Sequence, residues 1–189
     1  MYEHMAALFG GPPNARHYAL YEKWANAGWG IVMTGNVQVD SRHVSLGRDI
    51  IVPRILTDDA VRPFRELARV IHDTNTTDRP LTILQLSHCG RQSANIIGGR
   101  WPFVSPLAPS ALRLDLDESP PWSFSGLLSR LMFQTPREMT LEDIDNVVAA
   151  FVRGAKLAAR AGFDGVELQA GHGCTYVRIP LAAISISFL

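Results

Sequence analysis

Apolar positions along the chain follow two alternating patterns: short, unbroken β-prone runs, and longer stretches with apolar residues three and four apart. The first helix is expected after the Gly10-Gly11-Pro12-Pro13 loop, with Asn14 as its cap and Tyr18, Tyr21, Trp24 and Ala25 among its apolar or aromatic positions. Gly28 to Gly30 ends it, and Ile31 to Thr34 then reads as a strand without polar alternation, as a strand covered on both faces requires. Thr57 caps a second helix with Val61, Phe64, Ala68 and Ile71 on one face, and Pro80 introduces a second strand, Leu81 to Leu86. Thr140 and Asp143 form a capping box before the stripe Ile144, Val147, Val148, Phe151, Ala155, Ala158 and Ala159. Gly162 closes this helix, and Val166 to Leu168 form a third strand.

Between the second strand and the capping box lies Ser87 to Met139, rich in Pro, Gly and Ser and longer than ordinary connections; such segments are usually functional or mobile. Two strand, helix, strand steps in succession specify an α/β protein with a parallel sheet. Periodicity does not choose between a doubly wound sheet and a (β/α)8 barrel.

Composition narrows the partners. Of 189 residues 47% are hydrophobic and 19% charged, enough to bury a core, and 18 basic residues balance 18 acidic ones. No net attraction to nucleic acid or an anionic membrane follows, so a small-molecule partner fits best. The two cysteines, Cys89 and Cys174, stand in no disulfide or metal-binding pattern, and no metal ligands are assigned. Met1 to Phe9 lacks the features of a secretory leader, and the apolar run Ile179 to Leu189 is too short to span a bilayer and contains Pro180, so a cytoplasmic protein is expected.

Three segments carry a family resemblance: Gly30-Ile-Val-Met-Thr-Gly-Asn-Val37; Leu84-Gln-Leu-Ser-His-Cys-Gly-Arg-Gln-Ser93; and Pro136-Arg-Glu-Met-Thr140, continuing through Ala161-Gly-Phe-Asp-Gly-Val-Glu-Leu168 to His172-Gly173. In order and spacing they resemble the Old Yellow Enzyme family of NADH:flavin oxidoreductases, especially its fungal members. The resemblance implies a TIM (β/α)8 barrel, with FMN at the carboxyl ends of the strands and NADH or NADPH as reductant. It implies flavin contacts at Met1 and Tyr2, at the end of the first barrel strand, and at the Gly35-Asn36 turn. It also implies one at Gln85, whose carboxamide both donates and accepts along the pyrimidine edge. An ordinary strand-ending turn and a satisfied interior amide are the plain structural alternatives for Asn36 and Gln85. His88, Gly90 and Arg91 continue the motif, as loop architecture first and cofactor contacts second.

In the family, a His-x-x-His or His-x-x-Asn pair followed by Gly-Tyr polarises the carbonyl of an α,β-unsaturated substrate and protonates carbon. Here the segment reads Gln169-Ala-Gly-His-Gly-Cys174, so that only His172 and Gly173 keep the pattern. Gln169 donates through an amide but carries no charge, and Cys174 is shorter than tyrosine. These three positions, Gln169, His172 and Cys174, are the catalytic candidates.

The resemblance covers residues 1–173, expected to be the amino-terminal half of the barrel, roughly its first four βα units; residues 174–189 form an apolar tail outside it. A full barrel takes about 250 residues, and its phosphate grip comes from the last two strands, so weak FMN binding and self-association through open sheet edges are expected. The leading reading is an FMN-dependent ene-reductase type of chain. A non-catalytic remnant without flavin, and a flavin-free barrel acting on phosphate-bearing substrates, are the competing ones.

Overall fold

A computed structural model describes residues 3–74, 79–114 and 122–170. Its main sheet is wholly parallel. Strand β1 (Ile31–Met33) pairs with the first half of β4 (Leu81–Ser87), and β2 (Val37–Gln38) with the second half. β3 (Ile50–Ile51) lies outside β2, and β7 (Gly165–Leu168) lies along the other side of β4. Between β3 and β4 runs α2 (Asp58–His72), and α4 (Leu141–Ala161) precedes β7. α1 (Ala15–Ala25) precedes β1 and packs on α2.

Local chemistry sets these boundaries. The Asn14 side chain accepts from the Arg16 backbone N–H at 3.0 Å and closes a capping box with His17. Thr57 caps α2, and Thr140 with Asp143 forms the capping box of α4, whose end is turned by Gly162 at φ +87°. Each such cap contributes about 1 kcal/mol. Val61, Phe64, Leu67, Ala68 and Ile71 of α2 meet Leu84 and Leu86 of β4 and Phe151, Leu157 and Ala158 of α4 in one buried cluster. Burying each large side chain there is worth roughly 1.5–3 kcal/mol. The close approach of α4 to β4 depends on Gly154, where an added Cβ would lie 2.8 Å from a methyl of the fully buried Leu86.

All the core-forming helices lie on one face of the sheet. A doubly wound sheet carries helices on both faces, whereas a barrel wall carries them only outside, so this arrangement is that of a barrel wall. The expectation that β1 is covered on both faces is corrected accordingly: Val32 is buried, but Ile31 and Met33 are 59% and 41% exposed because no described element packs on the other face.

Ser87 to Met139 is also more structured than its composition suggests. Its described part holds a 3-10 turn (Gly90–Gln92), a two-stranded parallel ladder of β5 (Leu107–Ala108) and β6 (Arg137–Glu138), and helix α3 (Phe124–Met132) capped by Ser123. Asn95 ties α3 to the turn through Met132 O at 2.8 Å and Leu131 O at 3.1 Å.

Candidate functional site

Register decides which side chains face the open side of the sheet. Leu84 and Leu86 point to the helices, so Ile83, Gln85 and Ser87 point the other way; in β7, Val166 and Leu168 pack on the core and Gly165 and Glu167 do not. Met33 pairs with Ile83 and Val37 with Leu86, so the step from 33 to 37 on one strand matches the step from 83 to 86 on its neighbour. One extra residue is therefore inserted at Thr34-Gly35-Asn36, a β-bulge. The bulge is pinned by Thr34, whose N–H donates to Ile83 O at 2.9 Å and whose Oγ1 accepts the Gln85 N–H at 3.0 Å. Beyond it Val37 and Val39 sit in the core, which turns Gln38 to the open face opposite Ser87.

The backbone N–H of Gly35 is also held from below. It donates to Tyr21 Oη at 2.6 Å and to Glu3 Oε1 at 3.2 Å, while the Tyr21 hydroxyl donates to the same carboxylate. Burial raises the Glu3 carboxyl above its ordinary value despite those bonds, and burial together with the Glu3 charge raises Tyr21. Tyr21 thus stays a neutral donor and fixes the bulge at the end of β1.

This rim gathers polar atoms that no described residue satisfies. Asn36 Oδ1, both amide atoms of Gln38, Gln85 Oε1 and Glu167 Oε2 are buried without hydrogen-bond partners among the described residues. Among the described residues Gln85 Nε2 has only a long contact, 3.6 Å, to the sulfur of Met33. Gln85 and Glu167 are register partners on adjacent strands, so the two stand side by side on one face. A buried polar group left unpaired costs roughly 1–3 kcal/mol, so such a set is the mark of a surface that completes its bonds with a ligand. A flat heterocycle with alternating carbonyl and N–H groups suits it, because the carboxamides offer both donors and acceptors.

Of the residues singled out from the sequence, Gly35, Asn36 and Gln85 stand together at this rim. Gln169 follows β7 directly, its N–H donating to Leu86 O at 2.9 Å, and so extends the strand beside them. Met1, Tyr2, His172 and Cys174 lie outside the described residues, as does the tail 174–189. Gln38 and Glu167 were not anticipated; the available signal was a single polar residue alternating with core residues in Val37-Gln38-Val39 and Val166-Glu167-Leu168.

A second group was not anticipated as a group: of its members the sequence singled out only His88, as loop architecture first and a cofactor contact second. Just past the rim, Asp40, His43 and His88 bring potential ligand atoms within 4.8 Å of one another, a spacing that would admit a cation. The hydrogen bonds give the imidazoles other work. His43 Nε2 accepts the Leu107 N–H at 3.1 Å, which leaves Nδ1 protonated to donate to Asp40 at 3.0 Å, and His88 Nδ1 accepts the Gly90 N–H at 3.2 Å. The rings lie 4.6 Å apart. Burial opposes a charged Asp40, yet bonds from His43 and Arg42 hold its carboxyl well below the usual range. The cluster ties β5 and the turn after β4 to the loop after β2.

Burial, with His43 beside it, lowers His88 to about 3. A histidine with a depressed folded pKa leaves stability intact above its unfolded value of about 6.5 and erodes it as pH falls, since only the unfolded chain takes up the proton. Between pH 7 and 4.5 this residue accordingly costs roughly 2 kcal/mol. Urea unfolding at the two pH values is expected to show a smaller acid loss in His88→Asn than in the parent; equal losses would mean that the ring is not held neutral.

Residues 4–176 match the model of the NADH:flavin oxidoreductase / NADH oxidase family. The chain is 42% identical over 166 residues to the NADH-dependent flavin oxidoreductase iliE of Neonectria sp. (strain DH2), covering 85% of this chain and 20% of that protein. It is 39% identical over 160 residues to the NADH-dependent flavin oxidoreductase iccE of Talaromyces variabilis, covering 82% and 36%. It therefore spans well under half the length of these relatives. Among solved structures, TcOYE with pHBA superposes with a TM-score of 0.70 at 22% identity, over 94% of this chain and 47% of that one. The Old Yellow Enzyme homologue from Zymomonas mobilis gives 0.68 at 20% identity, over 92% and 43%. These likenesses establish the fold: the parallel sheet with its one-sided helices is part of an Old Yellow Enzyme type (β/α)8 barrel.

Proposed function

The chain belongs to the NADH:flavin oxidoreductase / NADH oxidase family, and we propose that its barrel rim takes the pyrimidine edge of FMN, in an enzyme that passes reducing equivalents from NADH to an α,β-unsaturated carbonyl. The observation that carries this reading is the set of unpartnered buried polar atoms on Asn36, Gln38, Gln85 and Glu167. FMN, when bound, supplies the two-electron chemistry. The chain's own residues bind, orient and polarise. Gln85 would hold the flavin by donating its amide N–H to a carbonyl and accepting an N–H, the bulge at Gly35-Asn36 would let the ring approach the backbone, and Met1 and Tyr2 would add further contacts.

On the substrate side, Gln169 and His172 are the proposed hydrogen-bond donors to the carbonyl oxygen. Donors fixed in advance lower the barrier as negative charge moves to that oxygen. Cys174, with a reference pKa of about 8.5 and a short side chain, is the residue in the proton-donor position. The names of the relatives support NADH as the reductant. The uncharged Gln169 and the short Cys174 favour, as a second reading, a chain that no longer performs the reaction or holds flavin.

Lumiflavin, which is the ring without the phosphate chain, tests the ring contacts directly. Titration followed by flavin fluorescence is expected to show the Gln85→Leu variant binding lumiflavin about tenfold to a hundredfold more weakly than the parent, for two neutral hydrogen bonds lost. Equal affinities in a variant that keeps the parent's circular dichroism would remove Gln85 from the site. No saturable binding by the parent would favour the second reading.

A further inference from the structure

We propose that the cavity between α4 and the loops following β2 and β3 binds a small organic oxyanion, gripped between Arg54 and Arg153. This cavity, about 450 Å³, is lined among others by Asp40, Arg42, Arg54, Asp143, Asn146 and Arg153. None of Asn36, Gln38, Gln85 and Glu167 belongs to its lining, so the inference stands independently of the flavin reading.

The acids in its wall are already committed and two of the guanidiniums are not. One Asp40 oxygen accepts from the Arg42 backbone N–H and Nε and the other from Arg42 and His43, at 2.9–3.3 Å. Asp143 is held by Arg137 at 2.9–3.0 Å and by Thr140 at 2.8 Å. Arg153, by contrast, donates to the carbonyl oxygen of Val39 at 2.8 Å, and its Nε is buried without a partner among the described residues. Arg54 has no carboxylate within ion-pair distance among the described residues. Burial lowers Arg153 from its ordinary value; Asp40 opposes that shift and the charge of Arg54 adds to it. Two positive groups are thus brought to one cavity with no free anion between them, an arrangement that a bound oxyanion relieves.

The donor chemistry fixes the class of ligand. Planar guanidinium forks match the paired oxygens of a phosphate or carboxylate, and a neutral or cationic molecule gains nothing from them. Asn146, one turn after Asp143 on the same helix face, adds a neutral amide to the wall.

Calorimetric titration of the full chain with inorganic phosphate and, separately, with citrate, at ionic strength held constant with sodium chloride, tests the site. Saturable binding with a dissociation constant below about 10 mM is expected for at least one probe, and the tighter of the two separates a phosphate ligand from a carboxylate one. Arg54→Gln, at an exposed position, is expected to weaken that binding at least about tenfold. Absence of saturable binding below that concentration for both probes, or unchanged affinity in Arg54→Gln, overturns the proposal. Should that variant fail to fold, Asn146→Asp, which puts a carboxylate into the wall, is expected to weaken binding likewise, and unchanged affinity there overturns the proposal in the same way.

Discussion

Gly99→Ala is expected to destabilise the chain by about 3–5 kcal/mol, far more than alanine at another glycine of similar backbone conformation. Gly99 has φ +82°, and a Cβ built there would lie 2.0 Å from Ser41 O and 3.4 Å from a methyl of Val44. The obstacle is backbone that cannot swing aside: Val44 N–H donates to Gly98 O at 3.1 Å, Ser93 Oγ donates to Val44 O at 2.8 Å, and Arg100 donates to Arg42 O at 3.3 Å. Gly28 supplies the control. Its φ is +80°, but nothing lies within 4 Å of the added Cβ, so alanine there meets only the backbone term of about 1–2 kcal/mol. Urea denaturation of both variants separates the two costs. Similar losses would show that the segment around Gly99 gives way without resistance. A large loss confined to Gly99→Ala would show that this segment is clamped onto residues 41–44, and through them onto the Asp40–His43–His88 cluster.

The long elements were legible because each carries a period that only one structure satisfies. Val61, Phe64, Ala68 and Ile71 repeat as a helix face must, and Thr57, Thr140 and Gly162 mark helix ends for stated steric and hydrogen-bonding reasons. β2, β3, β5 and β6 have two residues each, too few for any period. In α3 the apolar residues at 124, 127, 128 and 131 do carry helical spacing, but Gly126 and the serines around it read as loop chemistry; of the helix only Gly126 is buried, so a hidden core face is not what selects it.

At the site the split is similar. Gly35, Asn36 and Gln85 could be named because a motif holds them in sequence, and Gln169 because it departs from one. The bulge could not, since one inserted residue changes the register between β1–β2 and β4 without altering composition. Asp40 and His43 were missed, and His88 was read as loop architecture, for a different reason: the two histidines are 45 positions apart and meet only when the loop after β2 folds over the end of β4, and each alone looks like an ordinary loop residue. The barrel interior at β1 was misjudged because a run of β-branched and apolar residues shows that a strand is buried without showing on how many sides.

Repairing the altered motif is expected to produce the largest change in activity. Grafting residues 4–176 in place of the matching segment of the Neonectria relative puts the rim into a longer flavin oxidoreductase chain. In that chimera, reduction of flavin by NADH needs no proton donor to substrate carbon, whereas transfer to an enone does, so the two half-reactions should respond differently. Gln169 leaves β7 in strand register, its N–H on Leu86 O at 2.9 Å, so Gln169→His replaces an uncharged amide with an imidazole at the end of the same strand. Cys174→Tyr lengthens the side chain at the other altered position of the motif. Positioned acid catalysis is worth about a hundredfold to ten-thousandfold, and the paired change is expected to speed flavin reoxidation by cyclohexenone by that order while leaving reduction by NADH within about threefold. Stopped-flow absorbance at the flavin band measures both steps separately. Equal reoxidation rates with and without the two substitutions would strip positions 169 and 174 of the roles proposed for them and leave His172 with solvent to carry the proton transfer.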